Sequence, residues 1–228
     1  MDTLPELPVV MAFQHFNDYI TCPKRFNHRY ITCDCPKEIK SGQQTGGIAT
    51  HDAIKRRLKL REPLPDELQQ HEATCAALLA DKEESQRYVE HPLGCTAEGK
   101  PCGFFDAVCR LRGRLDLCFV RPDVAVIIDW KTGKTWEDPL ELQIQGLLLK
   151  IHHPEVKQIN AFYWWLRTSK PGITYTLDPV KTWNNVTRYM QSIRFRIDSN
   201  DWPADENPLC PWCPVGKDQC EFKKDPPK

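Results

Sequence analysis

No apolar run in this 228-residue chain approaches the roughly 20 residues that a helix needs to cross a bilayer, which excludes a membrane span. An excess of charge of one sign is missing as well. The 31 basic residues balance the 31 acidic ones, so any attraction to a polyanion has to be local. The opening stretch from Met1 to Pro8 has neither a basic segment nor a sustained apolar one, unlike a secretory leader. A reducing, cytoplasmic setting is therefore expected, in which cysteines bind metal or stay free rather than form disulfides. Repeats and breaks in composition are absent too. With 40% hydrophobic residues the chain can bury a good core, and a single domain over residues 1–228 is expected, its core at about 40–200.

What is present centres on two segments, Arg112-Gly113-Arg114-Leu115-Asp116 and Ile127-Ile128-Asp129-Trp130-Lys131-Thr132-Gly133. Leu111 to Val120 and Val124 to Trp130 are β-branched and apolar, and Arg121-Pro122-Asp123 between them has turn chemistry, which predicts an antiparallel hairpin. A loop of about four residues pairs Val120 with Ala125. Counting back then sets Asp116 opposite Asp129, and strand alternation turns Asp129 and Lys131 to one face. Facing carboxylates are hard oxygen ligands suited to Mg²⁺ or Mn²⁺, and an adjacent lysine can orient attacking water. The bland alternative is an exposed Asp129–Lys131 ion pair contributing about 0 to 1 kcal/mol. The apolar strand argues against it, since burying both charges is costly without a compensating metal or partner.

Around the hairpin the pattern predicts helices over Phe13 to Tyr30 with a break at Pro23, Gly47 to Leu60, Asp66 to Glu84 and Leu140 to Ile151, and a long amphipathic helix from Val180 to Ile197. Further strands are expected at Arg87 to Glu90, Ile159 to Leu166 and Ile173 to Leu177, with Trp164 and Trp165 covering the sheet. The order is mixed α/β, a mixed sheet flanked by helices. His51 opens a helical segment whose Ile54 and Leu58 recur at helical spacing, so it is either a metal ligand or a partly buried core histidine. Gln143 lies on an amphipathic helix, facing either solvent or a substrate strand. Glu90 either ligates metal or pairs with an arginine of its own sheet.

A second constellation joins the chain ends. Cys210, Cys213 and Cys220 crowd a Pro-rich tail, and Cys22 lies near the start, with Cys33 and Cys35 competing for the same role. Four thiolates suit zinc or an iron–sulfur cluster, and spacing alone does not separate them. Such a centre would staple the ends together, and softness would assign it a different metal from the carboxylates. Cys75, Cys95, Cys102, Cys109 and Cys118 are scattered and read as structural. Two basic groups, Lys55 to Arg61 and Lys24, Arg25, His28 and Arg29, could track phosphates or be solvated faces, and Phe26 and Tyr30 could stack on bases or pack inward.

With these residues in view, the chain resembles the RecB-like branch of the PD-(D/E)XK nuclease superfamily, and its phage-type exonucleases in particular. Gly113-Arg-Leu-Asp116 is similar to their Gly-x-x-Asp, Asp129-Trp-Lys131-Thr-Gly to their Asp-x-Lys-Thr-Gly, Gly46-Gly-Ile-Ala-Thr-His51 to their helix-borne histidine motif, and Gln143 opens a counterpart of their Gln-x-x-x-Tyr helix, with Leu147 in the tyrosine's place. The resemblance implies a restriction-endonuclease-like core in which Asp116, Asp129, His51 and the Trp130 carbonyl hold one or two Mg²⁺ or Mn²⁺ ions. Lys131 would position the nucleophile and Gln143 would touch the substrate strand. Cleavage of DNA would leave a 5′-phosphate and a 3′-hydroxyl. Cys22, Cys210, Cys213 and Cys220 match the arrangement of the iron–sulfur nucleases AddB and the CRISPR adaptation nucleases, which implies a [4Fe–4S] cluster, with Zn²⁺ as the alternative. It also implies a role in DNA recombination, repair or end processing beside a strand-annealing protein or a helicase. A P-loop is rejected, because Ile128 stands where its first glycine belongs. The remaining rival is a non-catalytic or partner-dependent DNA-binding subunit.

Overall fold

The computed structural model describes residues 2–36, 42–80, 86–133, 135 and 138–225. The hairpin forms in the expected register. Strands β3 (Leu111–Val120) and β4 (Val124–Lys131) run antiparallel with Val120 opposite Ala125 and Leu117 opposite Ile128, and one further step along this ladder brings Asp116 across from Asp129. On the other side of β3 lies β1 (Gln86–Cys95), longer than its predicted four residues, which also pairs with the short β2 (Pro101–Cys102). Strand β5 (Gln158–Trp165) is parallel to β4, and β6 (Lys170–Pro171) and β7 (Tyr175–Thr176) both pair with β5. A parallel neighbour needs a crossover, and α5 (Leu140–His152) supplies it.

Helices cover both faces. On one, α5, α6 (Pro179–Ser199) and the N-terminal helix α1 (Phe13–Thr21) enclose a core containing Phe16, Leu142, Leu148, Ile127, Trp165 and Met190. On the other, α3 (Gly42–Leu60) and α4 (Glu72–Ala80) cover Leu117, Phe119, Ile128 and Trp130 with Ala53, Ile54, Leu58 and Cys75. Trp164 and Trp165 cover opposite faces of the sheet, as alternation requires. Pro23 divides the first predicted helix into α1 and α2 (Pro23–Phe26), with a π turn at Asn27–Ile31, because proline fits a first helical position but not a helix interior. The predicted Asp66 to Glu84 helix begins as a 3-10 turn at Asp66–His71, and its last residues fall outside those described. In α6 the Asp178 carboxylate caps the Lys181 N–H at 3.0 Å, and Pro179 occupies the first turn. Among the described residues no helix is long and apolar enough to cross a membrane.

One irregularity positions the site. Residues of equal parity in a strand share a face, yet Leu111 and Leu115 pack under α5 whereas Leu117 and Phe119 pack under α3. The facing switches at Asp116. The same switch occurs in β1, where Val89 packs on the α3 side and Leu93 on the α5 side, and the residue at the switch, Glu90, has φ of +50°. Val89 pairs with Leu117 and His91 with Leu115, so Glu90 and Asp116 face each other across the ladder at the point where both strands turn over.

Candidate active site

Three adjacent strands thus bring Glu90, Asp116 and Asp129 into one row across the sheet, and the parallel register of β4 with β5 extends the row to Tyr163. From α3, His51 reaches over the row with Nδ1 at 3.5 Å from Asp116 Oδ2. The donor atoms of His51, Glu90 and Asp116 all lie within 4.8 Å of one another. Asp116 Oδ2 accepts the Trp130 N–H at 2.9 Å, and His51 has its own hydrogen bond to the Trp130 backbone. Glycine at position 47 permits the approach of α3, since a Cβ there would lie 2.9 Å from Thr132 Oγ1. Thus Gly47, one turn before His51, lets the histidine motif abut the Asp-x-Lys-Thr strand.

From the opposite face comes α5. Gln145 Nε2 donates to Asp129 Oδ1 at 2.8 Å and to the Arg114 carbonyl at 3.2 Å. Glu141 Oε2 lies 2.7 Å from Lys131 Nζ, which in turn stands 2.7 Å from Asp129 Oδ2. The Asp129–Lys131 pair therefore exists, but Asp129 is only 2% exposed, so it is not the exposed pair of the bland alternative. Its Oδ2 is the oxygen that pairs with the Lys131 ammonium.

The electrostatics express crowding. Burial, then the charge of Asp129, holds the Asp116 carboxyl well above the usual carboxylate range, against the opposing pull of the Trp130 N–H. Burial and Asp129 likewise push Glu141 up to about 7, with Lys131 opposing. Burial works against charge on Lys131 as well, yet Asp129 and Glu141 outweigh it and its pKa is raised. His51 moves the other way. Burial lowers it more than Asp129 and Glu90 restore, which keeps the imidazole neutral and able to ligate. The carboxylates of Glu90, Asp116, Asp129 and Glu141 crowd this site, and Lys131 pairs with the last two. The neutral His51 imidazole and the Glu90 and Asp116 carboxylates, all within 4.8 Å of one another, with Asp129 beside them, make a hard donor set that fits Mg²⁺ or Mn²⁺.

The hairpin and histidine motifs therefore meet at one place, and Glu90 lies within ligand distance of them while also standing 3.5 Å from Arg114, the arginine pair expected of it. On α5 it is Gln145 that touches Asp129. Gln143, two residues earlier and about 200° around the helix, is half-buried, and Leu147 is core. Sequence reasoning passed over Glu141 and Gln145. Their four-residue spacing, which sets both on one helix face, was the available signal.

The four predicted thiols share a pocket. Cys22, Cys210, Cys213 and Cys220 line one pocket, with Lys24, Arg25 and Lys223 among its other walls. Asp205 N–H points at Cys22 Sγ (3.4 Å) and Asn207 N–H at Cys210 Sγ (3.3 Å). Of the N-terminal thiols it is Cys22 that lines this pocket, whereas Cys33 is exposed. Four thiols with amide donors and cationic neighbours fit an anionic metal–thiolate centre. The predicted phosphate-tracking groups are largely engaged elsewhere. Arg25 and Arg29 pair with buried Asp18, Lys24 with Glu221, Arg57 with Glu72 and Arg56 with Asp52. Phe26 is fully buried, and Tyr30 packs on the core while donating to Asp18.

A sheet whose central strands carry two acids and a lysine, crossed by a histidine-bearing helix, defines a metal-dependent nuclease class. The PD-(D/E)XK nuclease superfamily model matches residues 81–221, more than half of the chain, and the chain belongs to that superfamily. No curated protein matches it. Among solved structures, "Crystal structure of SSO0001" aligns over 97% of this chain and 90% of that one at 14% identity and a TM-score of 0.48, a likeness too low to carry function.

Proposed function

We propose that this protein is a Mg²⁺- or Mn²⁺-dependent DNA exonuclease. The observation that carries the reading is the single row of Glu90, Asp116 and Asp129, with His51 over Asp116 and Lys131 beside Asp129. Asp116 and Asp129, with His51, Glu90 and the Trp130 carbonyl, would hold the ion. When bound, the ion supplies polarisation of the scissile phosphate, a more acidic water and charge stabilisation for the leaving oxygen. Lys131 sits against Asp129 and positions the attacking water, Gln145 fixes the Asp129 rotamer, and Glu141 holds Lys131 in place. Cleavage leaves a 5′-phosphate and a 3′-hydroxyl, suited to end processing in recombination or repair. Cys22, Cys210, Cys213 and Cys220 would hold a [4Fe–4S] cluster, whose part is to join the chain ends and not to hydrolyse.

The test is a time course on linear, circular and single-stranded DNA, labelled at either end, with Mn²⁺ or Mg²⁺ against chelator and with anaerobically purified protein. Metal-dependent loss of linear but not circular DNA, abolished in Lys131→Ala, is the expected result. Full activity in a well-folded Lys131→Ala protein would sink the assignment.

A further inference from the structure

Two aromatic residues in the loop between β2 and β3, Phe104 and Phe105, connect to the carboxylate row through arginines. Phe105 there is 85% exposed, the most exposed large apolar side chain among the described residues. It is also held in place, its ring 4.9 Å edge-to-face from Phe104. Phe104 is in turn covered by two guanidinium groups, Arg112 at 4.7 Å and Arg114 at 5.8 Å from the ring centre. Arg112 also donates to the Phe104 carbonyl at 3.5 Å. Arg114 remains about half exposed and approaches Glu90 at 3.5 Å. The contacts form an unbroken path from the acidic row through Arg114 to Phe104 and Phe105.

A lone exposed phenylalanine needs no explanation. Alternating cations and aromatics that end at a catalytic carboxylate do, and they complement a polyanion that has flat faces. We infer that Phe105 and the arginines behind it form a platform for a single DNA strand, one base stacking on Phe105 while Arg114 and Arg112 meet its phosphates, so that the strand is led to Asp116. The inference rests on the nuclease reading and narrows its substrate to unpaired DNA. In a duplex every internal base is already stacked on both faces, so only the terminal pair offers the exposed ring a face, whereas every base of an unpaired strand does. Stacking of this kind tolerates any sequence, because every base presents a π face. It also suits a chain whose overall charge is zero, since a few cations and one aromatic ring supply the affinity locally.

The experiment measures fluorescence anisotropy of a labelled 20-nucleotide oligothymidine and of a blunt duplex against the full chain, in Ca²⁺, for wild type, Phe105→Ala, Phe105→Trp and Arg114→Gln. Expected are a roughly 5- to 100-fold weaker Kd for oligothymidine in Phe105→Ala, recovery in Phe105→Trp, a smaller change on duplex and an unaltered melting temperature. Arg114→Gln should flatten the salt dependence by about one unit of slope. Oligothymidine binding unchanged in Phe105→Ala overturns the inference and leaves this loop as a protein-contact surface. A loss that tryptophan does not rescue, or that comes with a lower melting temperature, overturns it too. Because binding is read without turnover, a wild-type protein that cleaves nothing but binds oligothymidine through Phe105 would remove the nuclease reading and keep this one.

Discussion

The two candidate centres are built in opposite ways. The carboxylate row comes from neighbouring strands and two helices packed on them, its donors are hard oxygens and one imidazole, and Asp129 is buried between Gln145 and Lys131. The thiol pocket joins Cys22 to residues nearly the whole chain away, its donors are soft, and its walls are the junction of α1 and α2 on one side and a tail with one short turn, at Cys210–Trp212, on the other. The sheet forms the first site whether or not an ion arrives, and carries its repulsion as a cost. The second lies in a tail tied back by polar contacts, Lys24 to Glu221, Asn207 to the Thr21 carbonyl and Gln219 to Asp34, to which a metal on the thiols would add a covalent link. The comparison predicts that one site trades stability for chemistry and that the other supplies stability without chemistry.

The largest effect should come from chelation. EDTA should stop cleavage completely and Mn²⁺ or Mg²⁺ restore it, while visible absorption of the thiol centre persists, because oxygen and sulfur donors select different metals. Parallel loss of both signals would break the distinction. Next, Asp116→Asn should lower kcat by about a thousand-fold, in the range of a lost transition-state stabiliser, yet leave the metal-free protein as stable or more so by calorimetry. Burial and Asp129 already disfavour its charge. A melting temperature that drops sharply would make Asp116 structural instead. Glu90→Gly should relieve a left-handed non-glycine residue, worth about 1 kcal/mol, while slowing cleavage on the order of ten-fold. An unaffected rate would return Glu90 to its ion pair with Arg114. The smallest effect on chemistry is expected from Cys213→Ser, which should lower the melting temperature by several degrees and bleach the protein, with cleavage retained at low temperature. An unchanged melting curve refutes the staple.

How much was legible differs by element. Hairpin register followed from the Arg121-Pro122-Asp123 turn and the period of the flanking strands, which is why Asp116 and Asp129 could be set opposite each other by counting. On β4 alternation held, so Asp129 and Lys131 meet. On β3 and β1 it did not, since the facing turns over at Asp116 and Glu90, and period-2 reasoning has no means of sensing a paired irregularity. The grouping of Cys22 with the tail cysteines was inferred from resemblance, since spacing alone says nothing about which of Cys22, Cys33 and Cys35 would lie beside the tail. The Phe104–Phe105 loop gave no signal, because a short loop with two phenylalanines looks the same whether its rings are buried or displayed.

The amino-acid sequence by itself determined the elements, the hairpin and the superfamily motifs, because these depend on local propensity and on spacing of a few residues. Only the tertiary structure decided which helix residues face the site. Glu141 and Gln145 lie against Lys131 and Asp129 because α5 must cross from β4 to the parallel β5, and that crossing fixes its rotation over the sheet. It also decided that Arg25 and Arg29 are spent on Asp18, while Arg114 stays partly exposed beside Glu90. Charge and aromaticity are properties of a residue, but availability is a property of its neighbours.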